Sequence, residues 1–111
     1  MIKRITRKEL KEKLDRGDAF VLVDTLPASA YRKHHLPHAI NIRSDDIVEM
    51  APRAIPDRNT EIVVYCASGP CKRSRLSAER LADLGYANVR DYHEGRQDWQ
   101  ANGLSVETDG E

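Results

Sequence analysis

Cysteine is scarce in this 111-residue chain, with only Cys66 and Cys71. Two cysteines cannot build a disulfide scaffold, so packing must hold the fold. Aromatic residues are few: four Tyr, one Trp and one Phe. The core is therefore expected to be aliphatic. No sign of charge predominates, because 18 Lys and Arg balance 18 Asp and Glu. That balance argues against a dedicated nucleic-acid or membrane-surface protein, so neither partner is expected. No apolar run approaches the roughly 18 residues that span a bilayer. Residues 1–10 are cationic but lack the apolar stretch of a secretory signal. Together these absences point to one domain over residues 1–111 in a reducing, cytoplasmic home, with free thiols. An acidic tail, about residues 105–111, is expected to fray.

What is present is an alternation of strand and helix signals. Thr6-Arg7-Lys8-Glu9 reads as a capping box opening a helix with Leu10 and Leu14 on one face and Gly17 as its stop. Phe20 to Val23 is a short buried strand ending at Asp24. Pro27 to Lys33 makes a short helix and Ala39 to Ile42 a weak strand. Ser44-Asp45-Asp46 opens a helix carrying Ile47, Val48 and Met50, and residues 52–59 are expected as a loop. Glu61 to Tyr65 is the strongest strand, apolar enough to be covered on both faces. Ser74 to Leu84 is a helix with a predicted apolar stripe through Leu76, Arg80 and Leu84, widened by Ala78, Leu81 and Ala82. Asn88 to Tyr92 is a strand and Gly95 to Ala101 the last helix. This order implies an α/β fold: a central, mostly parallel sheet of about five strands with helices on both faces.

The segment between the best strand and the best helix carries the chemistry: Cys66-Ala67-Ser68-Gly69-Pro70-Cys71-Lys72-Arg73-Ser74. Ligands of open α/β sheets bind beyond the carboxyl ends of strands. A helix N-terminus there offers unpaired N–H groups and partial positive charge. Lys72, Arg73 and Arg75 add cations, and Gly69 lets the backbone curl. These features favour an anion, and a thiolate is one, so Cys66 is the candidate nucleophile. The plainer reading of Cys66 is a small buried apolar residue. Cys71 reads as either a second redox sulfur or a small residue at the start of the helix.

The same residues resemble the rhodanese domain, from about Leu10 to Leu104. Val21-Leu22-Val23-Asp24 is similar to that family's strand with its Asp. Tyr31-Arg32-Lys33-His34-His35-Leu36-Pro37-His38-Ala39-Ile40-Asn41 is similar to its F/Y-x-x-G-H-I-P-G-A-I-N segment. Ile62 to Cys66 resembles the strand that delivers the catalytic Cys, and Glu94 to Trp99 its late G-G-x-x-x-W signature. The loop is closest to a subgroup with C-x-G-P-x-C-x-x-S, here with Gly-Pro displaced by one.

The resemblance implies a thiosulfate-type sulfurtransferase. Cys66 would take sulfane sulfur from thiosulfate or a related donor as a persulfide. It would then pass that sulfur to a thiol, cyanide or a protein acceptor. Loop residues Ala67, Ser68, Gly69, Pro70, Cys71, Lys72, Arg73 and Ser74 would bind the anion, with the backbone N–H groups that the loop has from Ala67 onward, none of them from Pro70, holding its charge. No cofactor and no metal are implied. The competing reading is a non-catalytic binding or redox-sensing module using the Cys66/Cys71 pair.

Other constellations carry less. Cys-x4-Cys with His34, His35, His38 and His93 is a weak zinc pattern, because His34 and His35 are adjacent and diverge. A phosphatase would want C-x5-R, but that position is Lys72 and the first Arg is Arg73. The basic cluster from Lys3 to Arg16 is interleaved with acids and reads as a solvated helix face. Trp99 reads as a core residue.

Overall fold

The computed structural model describes residues 2–108. The elements in chain order are β1 (Lys3–Arg4), α1 (Arg7–Arg16), β2 (Val21–Asp24), α2 (Ala28–Lys33), β3 (Ile40–Asn41), a 3-10 turn (Ser44–Asp46), α3 (Ile47–Ala54), β4 (Ile62–Tyr65), α4 (Arg73–Asp83), β5 (Val89–Tyr92) and α5 (Gly95–Ala101). The strands form one five-stranded sheet in the order β1-β5-β4-β2-β3, and every pairing is parallel. The expected architecture is therefore present.

Each strand feeds two layers by alternation. In β4, Ile62 and Val64 pack with Val23, Ile47, Ala51, Ala78 and Leu81, under α3 and α4. Val63 and Tyr65 pack on the other face with Leu10, Leu22, Leu36, Tyr92 and Trp99, under α1 and α5. All four β4 residues are fully buried. As the central strand, β4 carries its carboxyl end to the middle of the molecule.

Local signals decide the ends of α1. Thr6 and Glu9 form the reciprocal capping box, and Gly17 closes the helix at φ +71°. The N-terminal basic residues do more than face water. Lys11 makes the expected i,i+4 pair with Asp15, but Arg7 reaches Asp98 of α5 and Lys13 reaches Glu61.

Four expectations are corrected. Residues 52–59 are not all loop, since α3 runs through Pro52 to Ala54. Pro52 cannot bond the Val48 carbonyl, but Val48 is exposed, so water can take that oxygen. Lys3–Arg4, expected as part of a solvated helix face, forms the edge strand β1 against β5. The buried stripe of α4 runs through Ser74, Ser77, Ala78 and Leu81, while Leu76 is 40% exposed. Two buried serines disguise that stripe in the sequence.

The tail is the fourth correction. Ser105 accepts a bond from the Trp99 indole, Glu107 pairs with His35 in an antiparallel bridge, and Val106 packs on the core. The rest of the expected tail, residues 109–111, lies outside the described residues.

The end of β4 is held by a buried polar knot. The Tyr65 hydroxyl donates to Asp24 Oδ2 at 2.8 Å and accepts from the Leu36 N–H at 3.0 Å. The Tyr65 carbonyl accepts from both the N–H and the hydroxyl of Thr25. Asp24 Oδ1 takes the Leu26 N–H at 2.8 Å. Burial pushes the Asp24 carboxyl above its ordinary range, against the Leu26 and Tyr65 hydrogen bonds and the Arg96 charge. Tyr65→Phe removes one donor and one acceptor from this buried site. It is expected to lower stability by about 1–3 kcal/mol in urea unfolding, and an unchanged midpoint and slope would contradict the role given to the knot.

Candidate functional site

Cys66 follows β4 directly and is 1% exposed. Its carbonyl accepts from the Arg96 N–H and that of Ala67 from the Gln97 N–H, both at 2.8 Å. The loop is thereby clamped to the first turn of α5. The clamp needs Gly95. It sits at φ +77°, and a Cβ there would lie 2.6 Å from the Cys66 oxygen and 2.8 Å from the Ser68 nitrogen. Only glycine lets the two backbones approach so closely.

Beyond the clamp the loop curls. The Cys71 N–H returns to the Ser68 carbonyl at 3.1 Å, and Cys66 Sγ lies 3.8 Å from that same oxygen. The curl brings Cys66 and Cys71 together as a disulfide, with Cα atoms 6.5 Å apart, which corrects the expectation of free thiols. That lies within the span a disulfide requires. Ala67, Ser68, Gly69 and Cys71 are half-buried, and Pro70 and Lys72 are exposed. Helix α4 starts at Arg73, and among the described residues no side chain caps its N-terminus at Lys72. The first-turn amides are thus left without a side-chain acceptor.

The cations separate. Arg73 turns away from the loop to Ser44, where its Nη1 lies 3.2 Å from the hydroxyl. Arg80 joins it there, donating to the Ser44 carbonyl. Lys72 and Arg75 instead line an open cleft of about 990 Å³ with Gly69, Pro70, Cys71, Asp91 and His93. The His93 ring faces Gly69, its Nε2 being 3.4 Å from where a Cβ would stand. Ser74, buried at the base of α4, acts on Asp91. Asp91 is 4% exposed, and its Oδ1 has no hydrogen-bond partner among the described residues. Burial pushes its carboxyl above the usual range, opposed by the Ser74 hydroxyl and by the charges of His93, Arg4 and Arg75.

The structure thus gathers the nine loop residues at one strand end. It adds several that sequence reasoning did not assign to the site: Gly95, Arg96, Asp91, His93 and Arg4. Gly95 and Arg96 lay inside a recognised signature, but nothing in spacing says that their backbone grips Cys66. The histidines do not assemble. His35 is buried and stacked on Tyr31, with ring centroids 3.9 Å apart. His38 adopts φ +66° at the position where the resembled segment carries Gly. Among the described residues no group of three His, Cys, Asp or Glu could hold a metal. No described helix is long and apolar enough to cross a membrane.

A rhodanese-like domain model matches residues 6–102. The chain belongs to the rhodanese-like domain family. It is 32% identical over 102 residues to the adenylyltransferase and sulfurtransferase UBA4 of Candida albicans, covering 86% of this chain and 23% of that one. It is 32% identical over 69 residues to the thiosulfate sulfurtransferase PspE of Escherichia coli, covering 62% of this chain and 64% of that one. The chain therefore spans less than two thirds of either relative. The crystal structure of the BH2092 protein from Bacillus halodurans superposes with a TM-score of 0.89 at 25% identity, covering 96% of this chain and 77% of that one.

Gly95→Ala tests the clamp. The left-handed backbone alone costs an alanine about 1–2 kcal/mol, and the contact with the Cys66 carbonyl adds to it. The expected result is lower stability together with altered alkylation kinetics at Cys66 in the reduced protein. Wild-type values for both would contradict the contact.

Proposed function

We propose that this domain is a sulfurtransferase in which Cys66 carries sulfane sulfur as a persulfide. The observation that supports this most is the placement of Cys66. It is the first residue after the central strand, buried, and set in a curled loop that runs into the N-terminus of α4. Membership of the rhodanese-like family and the sulfurtransferase names of relatives support the same reading.

In this reading the Cys66 thiolate attacks the outer sulfur of thiosulfate or a related donor. The S–S bond of the donor breaks and sulfite leaves. Loop N–H groups between Ala67 and Ser74 hold the charge on the transferred sulfur, apart from Pro70, which has none, and Cys71, whose N–H is given to the Ser68 carbonyl. A thiol, cyanide or a protein acceptor then removes it. No step calls for a metal or cofactor. Cytoplasmic conditions suit the cycle, because it begins from a reduced Cys66.

The cations divide their work. Lys72, exposed on the cleft, attracts the anionic donor, whereas Arg73 fixes the start of α4 against Ser44. A second reading, a redox-sensing module without turnover, is favoured by one observation, the Cys66–Cys71 disulfide.

Thiocyanate formation from thiosulfate and cyanide by the reduced protein separates the two. The expected result is turnover that Cys66→Ser abolishes and that Lys72→Ala impairs through a donor KM raised several-fold. The second effect is worth under about 1 kcal/mol, because an exposed cation is screened. No turnover with any sulfane donor, or turnover that survives Cys66→Ser, would overturn the reading.

A further inference from the structure

The two cysteines differ in access. Cys66 is 1% exposed and does not line the cleft; Cys71 is half-buried and does. They already meet in bonding contact across the Ser68–Cys71 turn, between the end of β4 at Tyr65 and the start of α4 at Arg73. A plain sulfur carrier needs only the first of them. We propose that Cys71 is a resolving thiol, which makes the domain a sulfide-releasing sulfane reductase recycled by an external dithiol.

The step rests on the persulfide reading of Cys66 and extends it. The Cys71 sulfur attacks Cys66 Sγ of the persulfide. The Sγ–Cys71 bond forms and the bond from Sγ to the sulfane sulfur breaks. The proton of the Cys71 thiol ends on the departing sulfur, which leaves as hydrosulfide. The sulfane sulfur is reduced by two electrons, and the two cysteine sulfurs are oxidised to the disulfide.

Recycling follows from the exposure. An incoming thiol meets Cys71 at the cleft wall, so attack there releases Cys66 into its loop as the leaving thiolate. The second thiol of the dithiol then frees Cys71. The reductant is a dithiol, small enough to enter an open cleft walled by Lys72, Arg75 and His93.

The test is a single turnover on the reduced, desalted full chain without added thiol. Thiosulfate is used in one arm and inorganic polysulfide in another. The wild type is expected to lose about 2 Da as the disulfide forms and, with thiosulfate, to release sulfite and sulfide in equal amounts. Cys71→Ser, and Cys71→Ala as a second variant, are expected to stop at a gain of about 32 Da on the Cys66 peptide. Their sulfide release falls at least about tenfold.

A wild type that rests at the same mass gain and releases no sulfide would overturn the resolving role while leaving the persulfide reading intact. Failure of wild type and both variants to gain or lose mass with either donor would remove the persulfide reading, and this step with it.

Discussion

The hydrogen bond between the Tyr65 hydroxyl and Asp24 is the constraint on which the site depends. It joins the carboxyl ends of β2 and β4 inside a layer where water cannot substitute. Tyr65 is the residue immediately before Cys66, so whatever fixes Tyr65 fixes the point at which the loop departs. The Leu36 N–H and the Thr25 bonds complete the restraint, the first from the segment that precedes β3 and the second from the residue that follows β2. An apolar pair could have filled the same volume. It would have held the strand end without the directional restraint that these hydrogen bonds supply.

From that fixed point the loop is shaped from two directions. Helix α5 grips its start through the Cys66 and Ala67 carbonyls, and α4 begins where the loop ends. Gly95 permits the first contact and the Ser68–Cys71 turn produces the curl. The cations do not surround the sulfur as an undifferentiated charge cloud. Arg73 and Arg80 brace the Ser44 turn, whereas Lys72 and Arg75 face the cleft. Structure and electrostatics are thus carried by different members of one basic run.

Much of this was legible in the sequence because the informative signals are local. The capping box at Thr6, the stop at Gly17 and the apolar run before Cys66 each name a structure by short-range physics. The loop composition likewise marked the end of that strand as the candidate site. What escaped was tertiary. Lys3–Arg4 is polar on both sides and becomes a strand only because β5 offers it an edge. Ser74 and Ser77 look like exposed helix residues but lie against the sheet. Leu76 looks like core but faces out. Gly95 and Asp91 come to the site from the far end of the chain, and no spacing rule connects them to Cys66. The pairing of Cys66 with Cys71 was open at the level of sequence, because the four residues between them can either curl or extend; the turn at Ser68 makes them curl.

The most direct test is a high-resolution crystal structure of the sulfur-loaded Cys71→Ser protein. The expected result is one additional sulfur atom bonded to Cys66 Sγ, within hydrogen-bonding reach of loop N–H groups between Ala67 and Ser74, with the Tyr65–Asp24 bond unchanged. Additional sulfur elsewhere on the molecule, or a loaded Cys66 pointing away from those amides, would contradict a loop built to hold it.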